Sequence, residues 1–193
     1  MSTKFSTVYD RFLGKITDDM YMELIPQDTV KDLQKLLIDA IPGFEFPRQN
    51  LYDYEIKVET IDEPDVQPGD FIIGVVWAEL PEEPNPPPQV IIEKSEFACD
   101  LTAEEINILA ILMMNGWLQR QVTSIENVRM KYSGPDFKMT SQANHLSKLL
   151  SLQTECRRQS HHMQRLYKRR EINPDTGAYQ SSWYRFGESG ATK

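Results

Sequence analysis

Apolar residues at Phe5, Val8, Tyr9, Phe12 and Leu13 recur at the i, i+3, i+4, i+7, i+8 spacing with which a helix buries one face. The spacing predicts a short first helix. Thr17 or Asp18 is placed to cap a brief turn from Met20 to Leu24. Pro26 ends that turn, because proline lacks an amide donor and disfavours helix in the residue before it. A second stripe, Val30, Leu33, Leu36, Leu37, Ala40 and Ile41, predicts another amphipathic helix with Asp28 as N-cap and Pro42-Gly43 as its stop.

Between Glu45 and Asp100 the helical period disappears, and seven of the 12 prolines fall between Pro64 and Pro88. "LPEEPNPPPQ" has too few amide donors for helix or interior strand. Its flanks, "FIIGVVWAEL" and "QVIIEKSEF", are rich in β-branched and aromatic residues and predict a two-stranded antiparallel ribbon with a proline-rich tip. Such a ribbon is marginal alone in water, so it is expected to lie on the helices or on a neighbouring subunit.

The next run, "LTAEEINILAILMMNGWLQRQVTSIENVRMKY", opens with Thr102-x-x-Glu105, the residue pair of a capping box. Ile106, Leu109, Ala110, Met113, Trp117, Gln121, Ile125 and Val128 share one face, while Ile108, Ile111, Leu112 and Leu118 cover others, as expected of a buried central helix. Ser133-Gly134-Pro135 then breaks the pattern, and Thr140 or Ser141 caps a returning helix from about Gln142 to Arg170. Leu146, Leu149, Leu150, Gln153, Cys156, Ser160, Met163 and Tyr167 form its stripe. The stripe loses apolar character along its length, so the start is expected to pack on the central helix and the far end to project beyond the bundle. Asn173-Pro174-Asp175 and Gly177 mark a turn, after which Trp183, Tyr184 and Phe186 supply an aromatic group.

Charge changes this picture. Residues 1–115 carry 8 Lys+Arg against 23 Asp+Glu, or −15, and residues 116–193 carry 13 against 6, or +7, within a net −8. Asymmetry of this size points to an acidic surface for one partner and a basic one for another, nucleic acid or an acidic protein. Arg157, Arg158, Arg165, Lys168, Arg169 and Arg170 concentrate the positive charge, with Tyr167 among them. As a nucleic-acid contact they would neutralise phosphates while the aromatics stack. As a protein contact, the arginines would fork to carboxylates while Trp183, Tyr184 and Phe186 fill pockets. A solvated helix end favoured by the dipole accounts for only some of these cations.

Catalytic chemistry finds little support. Cys156, His161 and His162 lie at helical offsets that point apart, and His145 and Cys99 add no paired-ligand spacing, so no metal site is expected. Asp18-Asp19, Glu82-Glu83 and Glu104-Glu105 read as helix starts or an acidic loop. No Gly-rich phosphate loop, G-x-S-x-G or recognisable Cys and His pairing occurs. The expectation is a chain without enzymatic activity or cofactor. Two separated cysteines favour a reducing cytoplasm over a disulfide framework. The N-terminus lacks the pattern of a signal peptide, and no stretch reaches the roughly 20 apolar residues of a membrane span, so a soluble protein without membrane contact is expected.

The order "TDDMYMELIPQDTVKDLQKLLIDAIPGFEFPR", "CDLTAEEINILAILMMNGWLQRQVTSIENVRMKYSGPDFKMTSQANHLSKL" and "HMQRLYKRR" resembles the head-to-tail connector (adaptor, or neck) proteins of tailed bacteriophages. The likeness spans roughly three quarters of the chain and excludes the arm from Val58 to Glu96, which many small adaptors lack. It implies a non-enzymatic virion protein in the neck, made in the host cytoplasm, forming a ring of its own copies, a dozen by that resemblance. Its implied partners are the portal protein, a tail-side neck or tail terminator protein, and genomic DNA passing without sequence-specific contact. The portal contact would fall to Arg157 through Phe186 here. A DNA-binding packaging or regulatory protein using the same cations is the alternative.

Pattern and resemblance together predict a mainly α fold: a helical bundle on a long antiparallel helix pair, with an inserted proline-rich β-hairpin arm and an extended C-terminal tail. The expected divisions are N-terminal helices over 1–57, the arm over 58–100, the helical hairpin over 101–170 and a docking tail over 171–193.

Overall fold

A computed structural model describes residues 2–16, 26–62, 66, 71–76, 89–131, 140–172 and 179–181. The described chain is mostly helical, with small antiparallel sheets. Its elements run β1 (Thr3–Lys4), α1 (Phe5–Leu13), α2 (Pro26–Ala40), a 3-10 turn (Ile41–Gly43), β2 (Tyr54–Glu55), β3 (Val58–Asp62), β4 (Phe71–Val76), β5 (Gln89–Glu93), β6 (Glu96–Phe97), α3 (Ala103–Lys131), α4 (Thr140–Arg169), β7 (Arg170–Ile172) and β8 (Tyr179–Ser181). No described helix is long and apolar enough to cross a membrane.

Helix α1 forms where the first stripe placed it, and Phe5, Val8, Tyr9 and Phe12 are fully buried. Helix α2 begins at Pro26, two residues ahead of the expected cap. Proline suits a first helical position, where its missing amide would have no partner. Asp28 therefore sits in the first turn, 3.9 Å from Lys31, rather than at the N-cap. Leu33, Leu36, Leu37 and Ala40 face the core, and Gly43 lies so close to Leu112 that a Cβ there would stand 3.1 Å from a leucine methyl.

Helix α3 starts as the capping box requires. The Thr102 amide donates to the Glu105 carboxylate at 2.8 Å, and the Glu105 amide donates to the Thr102 hydroxyl at 3.3 Å. Ile106, Leu109, Ala110 and Met113 join the cluster built by α1 and α2. Arg120 adds a polar tie by donating to Asp32 of α2.

The expected ribbon exists and is larger than the pattern indicated. Strand β4 pairs with β5, as predicted, but β5 also pairs on its other edge with β3, giving the order β3-β5-β4. The register shifts between Ile72 and Gly74, so β4 carries one extra residue beside a strand glycine, a β-bulge. Pairs Tyr54↔Phe97, Glu55↔Glu96 and Val58↔Glu93 through Asp62↔Gln89 keep one register. The two ladders belong to separate three-stranded sheets, β1-β6-β2 and β3-β5-β4, but share that register across the break at 56–57 and 94–95, where the Lys57 amide donates to the Ser95 hydroxyl at 3.2 Å. Strand β1 completes the first sheet by pairing with β6, and the Phe5 amide donates to the Ser95 carbonyl at 2.9 Å. Phe97, buried against Phe5 with ring centroids 4.6 Å apart, anchors this sheet.

Helices α3 and α4 run antiparallel, with Gln119 beside Gln153, Ile111 beside Cys156 and Glu105 beside Tyr167. Helix α4 ends at Arg169, and Arg170 opens β7, which pairs with β8. The tail therefore begins as a two-stranded hairpin, which the sequence reading missed. The expected turn over 20–24, the proline-rich tip, the 133–135 break, the 173–177 turn and the aromatics Trp183, Tyr184 and Phe186 lie outside the described residues.

Candidate interaction surface

The last four turns of α4 carry the residues singled out by charge, and the fold sorts them into two groups. On the inward side, Gln153, Cys156, Ser160, Gln164 and Tyr167 are buried. The Gln153 amide donates to Gln119 at 2.6 Å, the Cys156 thiol lies 3.8 Å from the Ile111 carbonyl, and the Tyr167 hydroxyl donates to the Glu105 carboxylate. The far end does not project from the bundle, contrary to the expectation from its fading hydropathy. Polar residues line the seam, and fixed partners satisfy them there.

Tyr167 needs the clearest correction. Its charged neighbours place it among the partner-contact residues while its helical stripe places it inward, and the stripe prevails: it is 1 % exposed and belongs to the main core. Phe44 meets its ring edge-on at 5.5 Å, and the Arg48 guanidinium stands 4.4 Å above its face. Burial, and then the bond to Glu105, pushes its hydroxyl pKa well above the ordinary tyrosine value. Tyr167 cannot stack on a nucleic-acid base or enter a partner's pocket without leaving the core.

A strap, residues 43–48, fixes this end of α4. The Gln164 side chain donates to the Gly43 carbonyl at 3.2 Å and accepts from the Glu45 amide at 2.8 Å, so it pairs with the strap as a neighbouring strand would. Arg48 donates to the Tyr167 and Arg170 carbonyls, groups that a helix end leaves unpaired. Lys168 lies 3.8 Å over the Phe46 ring, and His161 stands 3.4 Å from Glu45. Neither the strap nor its pairing had a sequence signal beyond Phe44, Phe46 and Arg48 following a helix stop.

The outward side keeps the charge. Arg158 forks onto Glu155 at 2.8 and 2.6 Å, which holds the Glu155 carboxyl below its ordinary pKa. Arg157 donates to Gln119 at 2.9 Å, and Arg170 stands 3.2 Å from Glu104. His162, Arg165 and Arg169 are exposed at offsets of three and four residues, one row along the helix. Of the ten residues predicted as a contact, Arg157, Arg158, Arg165, Lys168 and Arg169 are exposed on α4 and Arg170 is exposed at the start of β7. Tyr167 is inside, and the three tail aromatics lie outside the described residues.

Catalytic geometry is sparse. A shallow groove of ≈ 630 Å³ runs between α1 and the start of α3, lined by Asp10, Arg11, Lys15 and Ile106 among others. No group of three potential metal ligands occurs among the described residues. Burial raises the thiol pKa of both Cys99 and Cys156, the reverse of an activated nucleophile. The one buried carboxylate with an unpartnered oxygen among the described residues is Glu93. Its Oε1 accepts from Gln34 at 2.8 Å and Tyr9 at 3.2 Å, while Oε2 has no partner. Burial pushes the Glu93 carboxyl above its ordinary range, with the three hydrogen bonds from Gln34, Ser95 and Tyr9 opposing it.

Comparison with protein-family models, curated proteins and solved structures finds no match to this chain.

Proposed function

We propose that this chain is a structural adaptor of a tailed-phage neck, binding a portal through the exposed cations of α4 and meeting other neck components through its acidic remainder. The supporting observation is the sorting along α4: Tyr167, Gln164 and Arg48 hold the helix end, while Arg165 and Arg169 stay exposed beside it. A charged face on a fixed helix loses little conformational entropy on docking. The resemblance of the helical segments to connector proteins supplies the larger context: a ring of copies beneath the portal, a tail-side neighbour, and DNA passing through the channel. In that reading the bundle is the ring wall, the ribbon an inserted arm and residues 171–193 the docking tail. The protein works by recognition, without cofactor or bond-making, in the virion neck after assembly in the host cytoplasm.

Imaging the purified chain with the portal protein of the same source tests this. The reading predicts an added ring on one face of the portal, lost when residues 171–193 are deleted from a chain that still folds. No added density with the full chain, or unchanged attachment of the truncated one, removes the assignment. His162, Arg165 and Arg169 in one exposed row also suit a phosphate backbone, which keeps a DNA-binding role as the second reading. A duplex titration at two salt concentrations separates the two, because a DNA binder loses affinity steeply with added salt.

A further inference from the structure

Strands β2 and β3, joined through Ile56 and Lys57, each have a neighbour on only one edge among the described residues, β6 and β5. Their hydrogen-bond phase follows from two bonds: the Lys94 amide donates to the Lys57 carbonyl and the Ala98 amide to the Asp53 carbonyl, each at 2.9 Å. In an antiparallel ladder such residues alternate with ones whose amide and carbonyl point away from the partner. The backbone groups of Tyr54, Ile56, Val58 and Thr60 therefore point toward the other edge.

Side chains follow the same two-residue period. Ile56 and Val58 lie on one face and are 50 % and 54 % exposed, and Tyr54 on the same face packs against Phe5 and Phe97. Asp53, Glu55, Lys57 and Glu59 lie on the opposite face and are also exposed. Lys57 pairs with Glu55 at 2.8 Å and Lys94 with Glu59 at 2.6 Å, and Asp53 and Glu96 leave this face net acidic. Sheet edges are ordinarily blunted by proline, charged side chains, bulges or extreme shortness, because open amides and carbonyls recruit another strand. Residues 54–62 hold no proline, their ladders show no bulge, and the Lys57–Glu55 and Lys94–Glu59 pairs neutralise part of the edge's charge.

We propose that this edge is a strand-docking site that takes an extended segment of a partner with alternating apolar and basic side chains. Outward backbone groups supply the ladder, Ile56 and Val58 meet the partner's apolar residues, and the acidic face meets its lysines or arginines. A strand from a second copy fits poorly. Antiparallel self-pairing sets odd positions against odd ones, where Asp53, Glu55 and Glu59 outnumber Lys57 and like charges meet. The inference does not depend on the adaptor reading.

Amide hydrogen exchange of the full chain tests it, with a capped heptapeptide of alternating Lys and Val as probe. The amides of Ile56, Val58 and Thr60 should exchange fast in the free protein and at least about tenfold more slowly with the peptide. A Glu-Val peptide of equal length should bind about tenfold more weakly or less. Val58→Pro removes an outward donor without removing a ribbon bond, and should abolish the protection while the rest of the ribbon keeps its exchange pattern. Val58→Lys serves where the proline variant does not fold, and should also lose the Lys-Val peptide. No slowing at those three amides, or equal binding of the two peptides, overturns the proposal. A dimer of the full chain broken by Val58→Pro would give the edge to a second copy and overturn it equally.

Discussion

On one side of α3, Ile106, Leu109, Ala110 and Met113 meet α1 and α2 in a cluster built almost wholly of apolar atoms. On the other, a small apolar cluster around Ile111, Leu118 and Cys156 is flanked by polar ties, in which Glu105, Asn107, Ile111 and Gln119 meet α4 through a tyrosine hydroxyl, a thioether, a thiol and an amide. The first side gains its stability from area removed from water, a term with no direction. The second gains less per residue but specifies more. A one-residue slip of α4 would unpair Gln153, Gln164 and Tyr167 together, and buried polar groups left without partners are costly. The apolar side makes the bundle stable, and the polar side fixes where along it the cationic end of α4 comes to rest.

Substitutions on the two sides should separate these roles. Leu109→Ala, deep in the apolar cluster, should cost about 2–5 kcal/mol in denaturant unfolding while leaving the position of α4 unchanged. Tyr167→Phe keeps the ring but leaves Glu105 Oε1 without its donor while Oε2 keeps Thr102, and should cost about 1–3 kcal/mol. Gln164→Leu, nearly equal in size, should cost about 1–2 kcal/mol and speed amide exchange at Glu45, the strap group that the Gln164 carbonyl holds. A larger loss for the seam variants than for Leu109→Ala would reverse the assignment of roles.

The Glu93 carboxyl gives a smaller, pH-dependent effect. Its pKa is raised in the folded chain, so the folded state binds that proton more tightly than the unfolded one. This contribution is full below the ordinary glutamate value of 4.5 and is lost as pH rises through the raised value. The stability difference between the parent chain and Glu93→Gln should therefore move in the parent's favour on acidification from neutral pH. A difference independent of pH would show that Glu93 keeps its ordinary affinity for the proton.

Much of the apolar side was legible in the sequence because burial there follows helical period alone: Phe5, Val8, Tyr9, Phe12, Leu33 and Leu109 all fall where their stripes place them. The capping box at Thr102 was equally legible, since both of its bonds are local. The seam was legible only in part. Period placed Gln153, Cys156, Ser160 and Tyr167 on one stripe, but Gln164 was missed and the far end was expected to project, because hydropathy counts as exposed the polar groups that partners far away in sequence satisfy. The same blindness sent Tyr167 to the surface group, as its partners Phe44, Arg48 and Glu105 lie more than sixty residues away. The third strand was missed for a related reason: Val58–Asp62 is short, with two carboxylates among five residues and its first three residues exposed, and only its pairing with β5 makes it a strand.

The account turns on the exposed cations of α4 being a docking face rather than a solvated helix end. Replacing Arg165 and Arg169 together by glutamate touches no described bond and removes only favourable charge near the helix C-terminus, so unfolding should change by no more than about 1–2 kcal/mol. Co-sedimentation of this variant and the parent chain with portal rings of the same source is the direct measurement. The parent chain is predicted to travel with the portal and the variant to stay behind while remaining folded. Equal recovery of both with the portal would contradict the account.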